Sequence, residues 1–150
     1  MTASPSAGTV RGRVILERRA SSAGATVEVD GRVETTNSNG DYLLTGLVVG
    51  AHTITIRHQG YLRTSRSLIV SPGQDQSLPD VTLLAGDLNQ DGRIEVADGL
   101  IICNAWNATA GGPLWDPRAD INDDWAINIL DLVAVQFNWD RAAPGPWPGE

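Results

Sequence analysis

Two segments of the sequence carry oxygen-bearing side chains at matching spacings. Residues 87–98 and 120–131 lie 33 residues apart, and both read D-x-N-x-D-x-x-I-x-x-x-D. Calcium takes six to eight oxygen ligands at about 2.3–2.6 Å, and a tight loop turns the donors at positions 1, 3 and 5 to one inward side. Position 7 then supplies a backbone carbonyl, position 9 acts through water, and position 12 closes the shell. The repeat therefore predicts two calcium sites.

The predicted ligands occupy the same six positions in each loop. Position 8 is apolar in both loops, and we expect it to tie the loops together through the core. The ligands are Asp87, Asn89, Asp91, the Arg93 carbonyl, Glu95 and Asp98 in the first loop, and Asp120, Asn122, Asp124, the Ala126 carbonyl, Asn128 and Asp131 in the second.

The two loops differ at position 6. The first has Gly92, which suits the positive φ needed there, whereas the second has Trp125. A bulky residue in the left-handed region costs about 1–2 kcal/mol. The second loop also has Asn128 where the first has Glu95. We therefore predict weaker calcium binding at the second site, with Asp123 as an additional donor.

A helix is predicted after each loop, since apolar residues continue beyond position 12 at helical spacing. No helical pattern precedes the first loop, so each repeat is one loop followed by one helix. The helices are predicted over residues 98–107, with Leu100, Ile102 and Trp106 toward the core, and over residues 131–141, with Val133, Val135 and Trp139 at the equivalent positions.

The N-terminal part alternates polar and apolar residues, with turn dipeptides such as Asn39-Gly40 between the alternating runs. Residues 8–84 are predicted to form about seven strands in a β-sandwich. No nucleophile–base pair is present, and the carboxylates of the second half are assigned as calcium ligands. An enzyme is therefore not expected.

Charge is distributed unevenly along the chain. Residues 85–150 carry three arginines against eleven acidic residues, together with all five tryptophans. This acidic balance disfavours nucleic acid and anionic membranes as partners. No run of about 18 apolar residues could cross a membrane, and residues 1–8 are too polar for a signal peptide. The single cysteine, Cys103, excludes an internal disulfide and a zinc site built on cysteines.

Residues 86–141 resemble a dockerin, a module of two loop–helix calcium repeats of the F-hand type. The segments that carry the resemblance are G-D-L-N-Q-D-G-R-I-E-V-A-D and A-D-I-N-D-D-W-A-I-N-I-L-D. The resemblance implies a cohesin as partner, in secreted or cell-surface complexes such as cellulosomes. It also implies that the calcium positions of the family fall on the ligands given above.

Residues 8–84 resemble the carboxypeptidase regulatory-like family of small transthyretin-like sandwiches. The runs G-T-V-R-G-R-V, G-A-T-V-E-V, N-G-D-Y-L-L-T-G-L and G-A-H-T-I-T-I-R-H-Q-G-Y carry this resemblance. It implies a structural role without an activity. A sandwich directly before a dockerin resembles the tandem of X-module and dockerin, in which the sandwich stabilises its neighbour or extends the binding surface.

The dockerin resemblance also implies which residues meet the partner. The second repeat has the more apolar set, so the second helix is expected to make the main contact. The alternative, that both apolar faces of this helix are buried within the chain, stays open. The implied contact residues are Val96, Ala97, Cys103 and Asn104 in the first repeat, and Ile129, Leu130, Gln136 and Phe137 in the second.

Together these observations predict two domains, an all-β sandwich over residues 1–84 and an all-α dockerin over residues 85–150. The predicted function is non-catalytic, calcium-dependent binding of a cohesin by an extracellular or cell-surface protein. The alternatives are a structural calcium module without a cohesin partner and a carbohydrate-binding module that uses the tryptophans. The proline-rich tail, residues 142–150, is either loose or packed back through Trp147.

Overall fold

Eight strands and two short α-helices follow one another along the chain. The computed structural model describes residues 7–148. The strands are β1 (Ala7–Leu16), β2 (Thr26–Val29), β3 (Arg32–Thr35), β4 (Asp41–Val48), β5 (Gly50–Arg57), β6 (Thr64–Val70), β7 (Asp75–Ser77) and β8 (Val81–Leu83). The helices are α1 (Val96–Asn104) and α2 (Ile129–Phe137), with a 3-10 turn at Pro117–Ala119 between them.

The strands form two four-stranded sheets. In the first sheet β1 pairs antiparallel with β4 and parallel with the short strands β7 and β8. The second sheet has the order β3-β2-β5-β6, with antiparallel neighbours throughout. Alternation along β1 turns Val10 and Val14 inward and leaves Arg11 and Arg13 exposed between them. Val27 of β2 and Ile54 of β5 join the same core from the second sheet.

The predicted fold class, a seven-stranded sandwich with a separate all-α unit, is wrong. Within residues 7–148 the regular structure is mostly β, with eight strands and two α-helices of nine residues each. One hydrophobic core extends from Val10 in β1 to Val135 in α2. The calcium-type loops occupy half of each repeat and cannot be helical, because carboxylates rather than preceding carbonyls accept their backbone N–H bonds.

Both helices begin two residues earlier than predicted and end earlier as well. Their N-caps are Glu95 and Asn128, which stand at position 9 of the loops. In each helix the aspartate at position 12 accepts a hydrogen bond from the backbone N–H of the N-cap, at 2.9 Å to both Asp98 and Asp131. Position 12 is therefore the third residue of the helix and forms part of its cap.

The predicted helical core is only partly correct. Ile102 and Val135 are buried, but Leu100 and Val133 are exposed. Trp106 and Trp139 are also exposed, at 39% and 51%, because both helices end before them. No helix within residues 7–148 reaches the length and apolarity that a membrane span requires.

A backbone hydrogen bond joins the strand-bearing part of the chain to Gly86, the residue before the first loop. The N–H of Gly86 donates to the carbonyl of Gly60 at 2.9 Å, beside a hydrogen bond within residues 1–84 in which the N–H of Leu62 donates to the carbonyl of Leu84 at 2.8 Å. Gly86 has φ 132°, and a Cβ there would lie 2.9 Å from Cγ2 of Ile94. Only glycine therefore fits this crossing point.

The proline-rich tail packs back onto the strands. The hydroxyl of Thr64 donates to the carbonyl of Gly145 at 2.6 Å. Trp147 is buried, and its indole N–H donates to the carbonyl of Pro79 at 3.2 Å. Of the two alternatives for the tail, the packed one applies through residue 148. Residues 149–150, and residues 1–6 with the prediction about a signal peptide, lie outside the described residues.

Candidate metal loops and partner surface

Carboxylates at both ends hold the first loop closed. Oδ2 of Asp87 accepts a hydrogen bond from the N–H of Gly92 at 3.0 Å. From the other end, Oδ1 of Asp98 accepts from the N–H of Leu88 at 2.7 Å. Asp87 and Asp98 are both buried. Positions 1 and 12 thus fix the backbone path that places the remaining donors between them.

The second loop repeats this arrangement almost bond for bond. Oδ2 of Asp120 accepts from the N–H of Trp125 at 3.0 Å, and Oδ1 of Asp131 accepts from the N–H of Ile121 at 2.8 Å. Trp125 has φ 67°, in the same left-handed region as Gly92 at 88°. The tryptophan therefore adopts the conformation that glycine has in the first loop.

Position 8 of each loop pairs with the segment that follows the helix of the other repeat. The N–H of Ile94 donates to the carbonyl of Arg141 at 2.9 Å, and the N–H of Ile127 donates to the carbonyl of Ala108 at 2.9 Å. Both isoleucines are fully buried in the shared core. The loops are therefore linked through exchanged backbone bridges, in addition to the apolar contact expected at position 8.

The same bridges orient the carbonyl at position 7. Successive carbonyls along an extended backbone point to opposite sides. The carbonyls at positions 6 and 8 accept the bridge hydrogen bonds, so those of position 7, the predicted ligands Arg93 and Ala126, face the other way. The bridge acceptors are Gly92 and Ile94 in the first loop, and Trp125 and Ile127 in the second.

The clustered carboxylates are electrostatically unfavourable without a cation. Burial, together with the charges of Asp98 and Asp91, raises the pKa of Asp87 to about 6. Burial also raises the pKa of Asp120 and of Asp131. A divalent cation reverses this effect by favouring the ionised forms. No group of three or more His, Cys, Asp or Glu within residues 7–148 forms a metal cluster by itself, so a cation here requires amide and carbonyl oxygens as well.

An unsatisfied oxygen in the second loop fits this requirement. Oδ1 of Asn122, at ligand position 3, is buried without a hydrogen-bond partner among the described residues. The amide nitrogen of Asn122 donates to Asp124 at 3.1 Å, and Asn89 donates to Asp91 in the same way at 3.2 Å. A buried acceptor without a donor costs about 1–3 kcal/mol, and a bound cation would remove that cost. Carboxylate, amide and carbonyl oxygens are the ligand types that calcium takes in proteins.

The predicted partner-binding residues lie on the surface of the two helices. On α2 the exposed apolar residues form what we call the outer face, Ile129, Leu130, Val133 and Phe137. Phe137 is 71% exposed, so the alternative that both apolar faces of α2 are buried does not hold. Of the other predicted contacts, Val96, Cys103, Asn104 and Gln136 are exposed and Ala97 is half-buried.

Two family models match adjoining parts of the chain. The carboxypeptidase regulatory-like domain matches residues 9–84, and the dockerin type I domain matches residues 85–138. The chain belongs to the carboxypeptidase regulatory-like family and continues into a dockerin. Dockerin domains bind calcium, which agrees with the two oxygen-lined loops.

Two curated relatives are scaffolding proteins. The chain is 29% identical over 120 residues to cellulosomal-scaffolding protein B and to cellulosomal-scaffolding protein A, both from Acetivibrio thermocellus. Each match covers 75% of this chain, but only 16% and 6% of the respective relative. The chain thus spans a small part of the proteins it resembles.

A solved structure resembles the whole arrangement. It is a C-terminal interface mutant of a type II cohesin–X-dockerin complex from Acetivibrio cellulolyticus, with 27% sequence identity and a TM-score of 0.80. The match covers 90% of this chain and 97% of the other. The match therefore includes both the strands and the dockerin repeats of this chain.

Sequence reasoning missed the residues that join the dockerin to the strands. The side chain of Asn138 is buried and donates to Oε1 of Glu17 at 2.6 Å and to the carbonyl of Ala85 at 2.8 Å. Arg19 donates to the carbonyl of Ile121 at 2.8 Å. One signal was present, because Asn138 stands where the first repeat has Ala105, and this asymmetry marks a position with a different environment.

Proposed function

We propose that the chain is a non-catalytic, calcium-dependent adaptor whose dockerin binds a cohesin through the outer face of α2. The observation that carries the proposal is an exposed apolar face on a dockerin helix, in a chain that resembles an X-dockerin known from a cohesin complex. Exposed contiguous apolar surface marks an interaction site in a soluble protein.

The second repeat is proposed to dominate the contact. Ile129, Leu130 and Phe137 are 55%, 54% and 71% exposed. The corresponding residues of the first repeat are Val96, Ala97, Cys103 and Asn104, which offer less apolar area. Interface energy concentrates in a few buried anchors, and Phe137 with Leu130 has the size to act as such anchors.

The two loops are proposed to hold one calcium ion each, through the six positions predicted for each loop. Calcium would neutralise the buried carboxylates of positions 1 and 12 and would satisfy Asn122 in the second loop. The second site is proposed to be the weaker one, since Trp125 keeps the left-handed backbone at a steric cost that Gly92 avoids.

The two sequence units, residues 1–84 and 85–150, are proposed to work as one body. Asn138 and Arg19 tie them together with hydrogen bonds, and the core is continuous. The guanidinium of Arg18 lies 5.4 Å from the centre of the Phe137 ring. The loop after β1 therefore borders the outer face, which supports a role of the strands in extending the interface.

The parent protein is proposed to be extracellular or attached to a cell surface. This rests on its similarity to two cellulosomal scaffolding proteins. The chain covers a small share of each, so the remaining functions of the parent protein do not follow from it.

The test is a calorimetric titration of the full chain against a panel of type I and type II cohesins, in calcium and in chelator. We expect binding to at least one cohesin in calcium and none in chelator. The double variant Leu130→Asp/Phe137→Asp should lose this binding while calcium uptake is retained. Leu114→Asp, at an equally exposed leucine outside the helices, is the matched control. A chain that takes up calcium but binds no cohesin would support a purely structural module and overturn the proposal.

A further inference from the structure

Trp125 combines backbone strain with exposure of a large indole. Its φ is 67° and its side chain is 65% exposed. The left-handed conformation is unfavourable for bulky residues, and glycine fills this position in the first loop. Because the indole is exposed, its burial in the core does not offset the cost of this conformation. Residues with strained backbones are concentrated at functional sites. A strained residue with an exposed indole therefore indicates a function for this side chain.

The ring borders a cleft between the strands and the second loop. The cleft has a volume of about 290 Å³, close to the lower end of small-molecule pockets, roughly 300–1,000 Å³. A second indole, Trp115, also lines it. The cleft is lined from both halves of the chain, and its lining includes Arg19, His58, Gln59, Trp115, Asp123 and Trp125.

The lining combines flat aromatic surface with hydrogen-bonding groups. Arg19 is held against the carbonyl of Ile121 at 2.8 Å and over the ring of Tyr61, so it forms a fixed wall. Nδ1 of His58 donates to the carbonyl of Gln59 at 2.8 Å, and burial lowers the pKa of this histidine, which keeps its ring neutral near pH 7. The exposed side chains of Gln59 and Asp123 can accept hydrogen bonds from hydroxyl groups.

We propose that this cleft binds one or two rings of a neutral pyranose sugar, with Trp125 and Trp115 against the apolar ring faces. Indoles provide the apolar surface, while the amide and the carboxylate match hydroxyl groups. Residues 85–150 carry eleven acidic residues against three arginines, which disfavours an anionic sugar. None of the residues that line the cleft belongs to the outer face of α2, so the proposal does not rest on cohesin binding.

The first experiment follows the five indole N–H signals in ¹H–¹⁵N NMR spectra of the calcium-saturated full chain. Cellotetraose, xylotetraose and mannotetraose are added separately up to tens of millimolar. We expect at least one of them to shift the Trp125 and Trp115 signals in a saturable manner. The buried Trp147 indole, bonded to Pro79, should not move. Absence of a saturable shift with all three sugars would overturn the proposal.

The second experiment uses Trp125→Gly, which removes the ring and relieves the backbone strain at the same time. We expect sugar binding to weaken by at least about tenfold, while the fold and the calcium content are maintained. Trp139→Ala removes an indole of similar exposure outside the cleft and should bind as the unchanged chain does. Equal loss in both variants, or full binding by Trp125→Gly, would contradict the site. Loss of cohesin capture by Trp125→Gly, without any sugar response, would instead make the ring a protein anchor and also overturn it.

Discussion

The two calcium-type loops share one hydrogen-bond skeleton although their sixth residues could hardly differ more. Gly92 and Trp125 both donate their N–H to the carboxylate at position 1, at 3.0 Å in each loop. The carbonyls of Gly92 and Trp125 accept from the segment that follows the helix of the other repeat, from the N–H of Ala143 at 2.8 Å and from that of Ala110 at 3.2 Å. The backbone path is therefore imposed by the aspartates and the bridges. The identity of residue 6 sets what the conformation costs and what the side chain can do outside the loop.

Removal of calcium should have the largest effect, and it should act on both loops. Binding to the folded form alone stabilises it by about 2.7 kcal/mol per site at a free calcium concentration of 100 times Kd. We expect chelator to loosen the repeats, with loss of helical signal in circular dichroism and a lower Tm. A spectrum and a Tm that chelator leaves unchanged would contradict the calcium sites.

Substitution of the aspartate at position 12 should distinguish the calcium affinities of the two loops. Asp98→Asn and Asp131→Asn each replace a buried oxygen that accepts a backbone N–H, at a cost of about 1–3 kcal/mol. Because the first site is proposed to bind more tightly, Asp98→Asn should remove the tighter step of a calcium titration and Asp131→Asn the weaker one. Identical residual isotherms for the two variants would show that the loops are equivalent.

The asymmetry after the helices gives a third test. Asn138→Ala leaves Glu17 and the carbonyl of Ala85 without their shared donor, in a buried position. We expect the free energy of unfolding to fall by about 1–3 kcal/mol, measured by denaturant titration in saturating calcium. Asn104→Ala, at an exposed asparagine on α1, is the control and should change stability little. A similar loss in both would show that Asn138 does not join the strands to the dockerin.

The smallest effects are expected at position 6, with opposite signs in the two loops. Trp125→Gly relieves a left-handed bulky residue, and we expect a gain of about 0.5–1 kcal/mol after the chain entropy of glycine is included. Gly92→Ala should lose about 1 kcal/mol or more, because φ is 88° and a Cβ there would lie 3.0 Å from Nη1 of Arg63. Thermal unfolding in excess calcium measures both. Shifts of the same sign would mean that residue 6 does not set the difference between the loops.

The sequence predicted the loops far better than the elements around them. Donor types and spacing predicted two closed loops, from Asp87 to Asp98 and from Asp120 to Asp131, and the structure has both. The calcium ligands assigned within them stay a prediction. The helix starts were missed because Glu95 and Asn128 act as N-caps as well as occupying position 9. The predicted burial of Leu100 and Trp139 was wrong. For Trp139 the reason is that periodicity does not reveal that α2 ends after nine residues. The junction between the strands and the repeats includes contacts such as the hydrogen bond from Arg19 to the carbonyl of Ile121, which no local pattern encodes.

The exchanged bridges have a consequence for how the chain is made. Ile94 finds its backbone partner only at Arg141, and Ile127 finds its own at Ala108. During synthesis, the first repeat therefore lacks its backbone partner until Arg141 has been added, whereas the second repeat meets a partner that is already synthesised. Either repeat alone would leave the backbone edge of its loop unpaired, so the two repeats complete each other's backbone hydrogen bonds.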